Sequence, residues 1–390
     1  MEWVEKKSSE LYVSSSGLSK SSDQFGYGYP FLSYKDVFNN YYAPDKLSTL
    51  VNSTEKDRMK CSVKQGDVFL TRTSETTDEL GMSCVALHDY VNATFNGFTK
   101  RLRPLTDEIE PKYAAYYFRS PYFRSQCISL ASLITRASLN DGMIRRLKIR
   151  YPLNRKVQEK IGEILYTYDT LMENNTKRIR LLEKMAENLY KEWFVRFRFP
   201  GHENVEMENG LPKGWKVKKY EDEFNVKYGK GLPTDKLTKD GFPVFGSNGQ
   251  IGYYTSYMYE TPQILISCRG ASSGVVNISL PKSFITNNSL ICEMTNETES
   301  VFEYLKYCFL NTNLVQYQTG SAQPQITINN IVKLKLLIPS TDVQIKFADK
   351  VRTLDKEVGN LQHQNSLLAR QRDLLLPRLM SGKLEVKVKE

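Results

Sequence analysis

Apolar residues recur at a spacing of four and three in two long stretches of this chain. From Ile161 the spacing runs through Leu165, Tyr168, Met172, Asn175, Ile179, Leu182, Ala186 and Leu189 to Trp193. From Phe347 it runs through Val351, Leu354, Val358, Leu361, Asn365, Leu368, Arg372 and Leu375 to Leu379. A period of 3.5 sustained over about four heptads predicts coiled-coil helices rather than curved surface helices. Lys, Arg, Glu and Gln, all good helix formers, fill the flanks. Pro152 and Pro339 close the run that precedes each pattern, because the residue before a proline is pushed out of the helical region. Pro377 is expected to stop the second helix at or just before Leu376, which puts the Leu379 layer in question.

Ahead of each coil the pattern shortens. Runs such as Val68-Phe69-Leu70, Ile264-Leu265-Ile266 and Leu334-Lys335-Leu336-Leu337-Ile338 read as strands bounded by turns. Tyr113 to Cys127 and Val301 to Gln316 read as one helix in each globule. Both are aromatic on one side (Tyr116, Tyr117, Phe118; Phe302, Tyr304, Tyr307, Phe309), which is more often packing than binding. Landmarks recur as well. Trp3 and Gly28-Tyr29-Pro30-Phe31-Leu32 are echoed by Trp215 and Gly241-Phe242-Pro243-Val244-Phe245. Asp67 to Arg72 aligns with Gln263 to Arg269, and Ser138-Leu139-Asn140-Asp141 with Thr327-Ile328-Asn329-Asn330. Two repeats are too few for a solenoid. The reading is a duplicated module, globule then long helix, with mixed α+β globules at 1–150 and 211–338. The helices occupy 151–200 and 339–390, and a turn-rich linker lies at 201–210.

Composition narrows the function. The 390 residues carry a net charge of +10, which suggests a polyanionic partner, though charge alone is a weak pointer. The charged start argues against a secretory signal, and no stretch nears the ~18 apolar residues of a membrane span, so a cytoplasmic protein is expected. The six cysteines are scattered with no Cys-x-x-Cys pair, which disfavours zinc and reads as free thiols in a reducing compartment. His88, His202 and His363 form no metal pattern; no metal site is expected. There is no Walker A sequence, no Gly-x-Gly-x-x-Gly after a strand, and no Asn-Pro-Pro-Tyr or Asp-Pro-Pro-Tyr box of an amino-methyltransferase. Tyr228-Gly229-Lys230-Gly231 and Cys268 to Gly274 read as turns between strands, and so does Asn287-Asn288. Acidic pairs such as Asp78-Glu79 read as solvated loop charge. The chain recognises something and does no chemistry.

Several pieces stand out: Leu211-Pro212-Lys213-Gly214-Trp215, Phe245-Gly246-Ser247-Asn248-Gly249, Gly320-Ser321-Ala322-Gln323-Pro324-Gln325-Ile326, Ile338-Pro339 with Gln344, and the closing Leu374 to Leu384 segment. Together they resemble the DNA-specificity subunit of type I restriction-modification enzymes. The resemblance covers essentially the whole chain. In the first half Ala131 to Arg136 replaces the Gly-Ser-Ala-Gln-Pro-Gln stretch. The resemblance implies two target-recognition domains held by two helices that pack antiparallel as a coiled coil with pseudo-two-fold symmetry. It implies double-stranded DNA as ligand, two methyltransferase subunits and restriction-translocase subunits as partners, and S-adenosylmethionine, ATP and Mg on those partners only. A helix of about 32 residues spans roughly 48 Å, enough to set two heads about one DNA turn apart, ~34–36 Å. The expected target is therefore split and asymmetric. A stand-alone DNA-binding or architectural protein, or a coiled-coil scaffold with incidental charge, are the competing readings.

Arg suits guanine, Asn and Gln suit adenine, and Lys, Arg, Ser and Thr suit phosphate. On that chemistry the DNA-contacting candidates in the second head are Lys227, Lys230, Ser247, Asn248, Arg269, Ser272, Ser273, Gln323 and Gln325. Those in the first are Tyr34, Lys35, Arg72, Thr73, Lys100, Arg101, Arg103 and Arg136. For the coil, pairing Asn175 with Asn365 gives a register in which facing numbers sum to 540. It sets Tyr168 beside Arg372 and Trp193 beside Phe347. The alternative is that partner helices cover these positions and satisfy the amides.

Overall fold

The computed structural model describes residues 2–388 except 75, 77, 78, 131, 134–136, 296, 297 and 321–323. The chain forms two compact units, Met1–Asn175 with His363–Glu390, and Thr176–Gln362. Each unit takes half of each long helix. The physical reason is that the helices complete the cores. Ile161, Leu165, Leu376, Leu379 and Met380 are buried in the first core. Ala186, Tyr190, Trp193, Phe194, Phe347 and Val351 are buried in the second.

The first unit holds an antiparallel sheet in the order Tyr12–Ser16, Thr99–Pro104, Val68–Thr71, Ser83–Val85. The second has its counterpart in Phe224–Tyr228, Ser289–Met294, Ile264–Ser267, Val276–Ile278. Each unit adds a three-stranded sheet with one parallel pair, Phe31 opposite Thr94 in the first and Val244 opposite Phe284 in the second. Each also pairs the strand after its landmark tryptophan with the strand before its long helix: Trp3–Lys7 with Lys148–Pro152, and Lys216–Lys219 with Lys335–Ile338.

The duplication extends to single hydrogen bonds. Buried Gln158 accepts from Glu110 N at 2.9 Å and donates to Pro152 O at 2.8 Å. Buried Gln344 accepts from Val301 N at 2.9 Å and donates to Pro339 O at 2.8 Å. Tyr113 donates its hydroxyl to Arg150 O, as Tyr304 does to Leu337 O. Tyr116 donates to Asp169 and Tyr307 to Asp355. In each unit these bonds tie the long helix to the globule's sheet and aromatic helix, so a strand that would otherwise end in open backbone is closed by one glutamine.

The long helices run Arg155–Tyr190 and Thr341–Ser381. The second continues through Pro377, contrary to the expected stop. A proline this near a helix end removes one hydrogen bond, and the turn beyond it buries Leu379 at 1% exposure. The helix expected from Tyr113 to Cys127 is broken into Pro111–Tyr117 and Pro121–Leu130; Pro121 disfavours helical backbone at Ser120. Tyr113, Tyr116, Tyr117 and Phe118 are all buried, so that aromatic side is packing. The helix in the second unit is shorter than expected, Phe302–Leu310, followed by a single turn at Val315–Tyr317.

Within the first unit the helix segments pack antiparallel. Asn175 Nδ2 donates to Asn365 Oδ1 at 2.9 Å and to Gln364 Oε1 at 2.8 Å, and Asn365 Nδ2 reaches Met172 O at 3.4 Å. The protein thus satisfies these amides internally. Within the second unit the Trp193 and Phe347 ring centroids lie 5.9 Å apart. Arg372 departs from expectation. It bonds Asp169 at 2.5 Å and Asp373 at 2.8 Å, and the ring beneath its guanidinium is that of Tyr41 at 5.2 Å rather than Tyr168. A long cation is drawn to a carboxylate one residue along the facing helix before a neutral phenol.

Candidate nucleic-acid interface

At one end of each main sheet the connecting loops are locked together by the same main-chain hydrogen bonds. In the second unit Thr286 N donates to Phe245 O (2.9 Å), Asn287 N to Lys230 O (3.1 Å), Cys268 N to Asn288 O (3.0 Å) and Ile326 N to Cys268 O (3.0 Å). In the first unit the matching bonds are Asn96 N to Leu32 O (3.1 Å), Gly97 N to Leu18 O (2.9 Å), Arg72 N to Phe98 O (3.2 Å) and Leu139 N to Arg72 O (2.8 Å). These pairs align the copies residue by residue. They place Thr73, not Arg72, at the position of Arg269, and Asn140, a helix N-cap, at the position of Thr327. The similarity of the two arginines and of the Ser-Leu-Asn and Thr-Ile-Asn runs misaligned the landmarks by one and two residues.

Gly17 and Gly229 permit this closure. A Cβ on Gly229 would lie 2.3 Å from Thr286 O and 2.5 Å from Ile285 O; on Gly17 it would lie 2.3 Å from Asn96 O and 2.5 Å from Phe95 O. The loop cannot close with any side chain there.

On that common frame the side chains differ. In the second unit Lys230, Asn248, Arg269, Asn287, Asn288 and Gln325 are exposed at the loop ends. The loop stretches 229–231, 246–249, 268–274 and 286–289 contain Lys230 and Arg269 and no Asp or Glu, so their local potential is positive. Ser247 contributes its carbonyl to a bond from Ser267 Oγ. Gln325 exchanges main-chain bonds with Thr319 and is bridged to Arg269. Ser272 is half-buried, whereas Ser273 is buried with an Oγ that has no partner among the described residues. Lys227 is committed to Glu293 at 2.6 Å, which raises its pKa and holds it charged, and lies 5.6 Å from the Tyr259 ring. Gln323 lies outside the described residues.

In the first unit Lys35 is exposed. Tyr34 stacks on Phe38 and donates to Thr73 O at 3.3 Å; its phenol pKa is raised by burial and then by Glu79. Thr73 pairs with Ser138 across two short strands. Arg72 is half-buried, its Nε enclosed without a partner among the described residues. Arg136 lies outside the described residues.

Lys100, Arg101 and Arg103 are corrected by the structure: they are internal struts. Lys100 is 4% exposed and bonds Ser16 Oγ at 2.8 Å and Asp141 at 2.9 Å. Arg101 is 7% exposed, donates to Ser62 O at 2.6 Å and lies over the Phe95 ring at 5.4 Å. Arg103 makes a two-bond fork to buried Asp67 at 2.8 and 2.6 Å. A buried charge needs a partner: Lys100 and Arg103 have carboxylates, whereas Arg101 has only main-chain carbonyls, its Nε lacks a partner among the described residues, and burial lowers its pKa. Arg101→Ala is accordingly expected to cost about 2 kcal/mol of stability and to leave the salt slope of DNA affinity unchanged. Urea unfolding and a salt titration check it; intact stability with a slope reduced by about one would restore Arg101 as a phosphate contact.

Among the described residues no three His, Cys, Asp or Glu side chains converge as a metal site, and no helix is long and apolar enough to cross a membrane. All six cysteines are buried and free. Asn287-Asn288, read from the sequence as a turn, and Phe98, not singled out there, are also exposed at these loop ends.

Comparison with known proteins matches this arrangement. The sequence fits the model of the type I restriction modification DNA specificity domain over residues 2–184 and again over 212–369. The type I restriction enzyme MjaIX specificity subunit of Methanocaldococcus jannaschii is 26% identical, over 99% of this chain and 94% of its own length. The type I restriction enzyme HindI specificity subunit of Haemophilus influenzae is 21% identical, over 91% and 94%. The crystal structure of the type I restriction-modification S subunit from M. genitalium shares the fold, with a TM-score of 0.59 at 18% identity, over 100% of this chain and 97% of that one. With one matched segment for each copy of the repeat, the chain belongs to the type I restriction-modification DNA specificity family, whose members are the non-catalytic, DNA-recognising subunits of their systems.

Proposed function

We propose that each head reads one half of a split, asymmetric site in double-stranded DNA, and that the chain brings methyltransferase subunits, and with them restriction-translocase subunits, to that site. One observation carries the reading: the two copies keep the same loop-locking main-chain bonds while their side chains differ position by position. Such a frame supports recognition by groove-edge contacts, with shared main chain for positioning and variable side chains for sequence. Two unlike heads on one chain favour two unlike half-sites. S-adenosylmethionine, ATP and Mg would be held by the partner subunits, and the complex would work on cytoplasmic DNA.

The test is to express the chain with its methyltransferase subunits and map methylated bases across the host genome. The expected motif has two defined halves separated by an unread gap. Exchanging residues 211–338 for another family member's equivalent should rewrite one half and leave the other intact. A single contiguous motif, or loss of both halves on exchange, would overturn the reading.

A further inference from the structure

We propose that the tip formed by Asn287 and Asn288 reads bases in the second head, and that Phe98 is the reading residue at the matching place in the first. This rests on the proposal that each head contacts DNA. It adds which residues discriminate and by what chemistry.

The turn at 286–289 is closed without either asparagine side chain: main-chain bonds carry it, supported by Cys268 Sγ to Asn287 O at 3.6 Å and Ser289 Oγ to Gly246 O at 3.2 Å. Ser289 N donates to Thr286 O at 3.1 Å, Asn287 N to Lys230 O, and Cys268 N reaches Asn288 O. Neither amide side chain has a hydrogen-bond partner among the described residues, and both are exposed. An asparagine kept to build a turn uses its side chain locally. The first head shows that use: Asn96 Oδ1 accepts from Phe98 N at 2.7 Å. In the second head two amides stand free on a rigid base, beside exposed Lys230 and Arg269. Preorganised amides flanked by cations suit a base edge lined by phosphates, and asparagine matches adenine N6 and N7.

The equivalent of Asn288 is Phe98, since their carbonyls accept the same main-chain bond from Arg72 N and Cys268 N. Phe98 is 58% exposed on this tip, next to buried Gly97. An aromatic ring held out from a locked loop with a glycine beside it has no core to fill. Against DNA its chemistry is apolar contact with a thymine methyl group or stacking on an opened step. The two heads therefore use opposite chemistries at one position, amide in the second and hydrocarbon in the first.

The experiment uses the complex of the chain with its methyltransferase subunits and duplexes carrying the motif found for the wild type, with each base pair substituted in turn. Asn288→Ala and Asn287→Ala are expected to lower discrimination at one or two adjacent positions of one half-site by roughly tenfold, with the other half read as before. Phe98→Ala should do the same in the opposite half. Asn288→Ser, which keeps a small polar side chain, and a thermal melt control for folding. Unchanged discrimination at every position in the three alanine variants overturns the proposal, and so does an equal loss of affinity for all duplexes. A wild type with no two-part motif would instead overturn the function proposed above.

Discussion

Gly229→Ala is expected to destabilise the second unit by about 3–5 kcal/mol and to abolish reading of one half-site. The added Cβ would sit 2.3 and 2.5 Å from two main-chain carbonyl oxygens, neither of which belongs to a flexible side chain. Relief requires parting strand ends joined by Lys230 N to Ile285 O at 3.0 Å and Asn287 N to Lys230 O at 3.1 Å. Overpacking at about 1–3 kcal/mol then adds to two lost hydrogen bonds at about 1 kcal/mol each. The backbone at Gly229 does not take a positive φ, so the constraint is one of space. Gly231→Ala is the control, because a Cβ there meets nothing within 4 Å. Denaturant unfolding of both variants decides it, and equal midpoints would remove the clash from the account. Gly17→Ala should produce the mirror result, with the other half-site lost.

Arg372→Ala carries the second large expected effect, a loss of about 3 kcal/mol in the first unit. Arg372 and Asp169 keep side-chain exposures of only 15% and 19%, and Asp169 also accepts from the Tyr116 hydroxyl. Removing the cation leaves a mostly enclosed carboxylate with a single neutral donor. Breaking a buried pair costs about 3–5 kcal/mol, and the residual exposure of both side chains places the value at the lower end. Because the two residues share one interaction, Asp169→Asn on top of Arg372→Ala should cost less than the sum of the single changes by at least about 1 kcal/mol. Additive losses would show that Arg372 acts through packing on Tyr41 and not through the ion pair.

The parts legible in the sequence were those governed by local periodicity. The heptads gave both helices, and the pair of seam amides gave facing residues that the structure brings to 2.9 Å. Strand cores such as Val68–Thr71 and Ile264–Ser267 followed from short apolar runs. What escaped depends on distant partners. Lys100, Arg101 and Arg103 look like a basic strip until the loop carrying Ser62 and Asp67 folds over the two arginines and Ser16 and Asp141 take up the lysine. Pro377 looks like a terminator until the core of the first unit claims Leu379. Arg72 and Arg269 look equivalent until hydrogen-bond partners, which no linear comparison contains, assign Arg72 to Cys268. Asn287-Asn288 reads as an ordinary turn because nothing in the sequence tells that the turn closes without the two amide side chains.

The amide pair of the coil sets a rule about which halves can pair. Gln158 and Gln344 are equivalent and stand 186 residues apart, as do Asp169 and Asp355. By that offset Asn175 corresponds to Leu361 and Asn365 to Ile179. The duplication is therefore broken at this layer. Were the polypeptide cut between its copies and each half left to pair with itself in the same register, Asn365 would face Leu361, and Asn175 would face Ile179. Each such contact would leave an amide without its amide partner, twice per dimer, at a cost of about 1–3 kcal/mol for buried Asn175 and less for half-buried Asn365. Only unlike halves bring amide to amide. With aliphatic residues at all four positions there would be no such preference; two asparagines, one in each copy, favour the pairing of unlike halves.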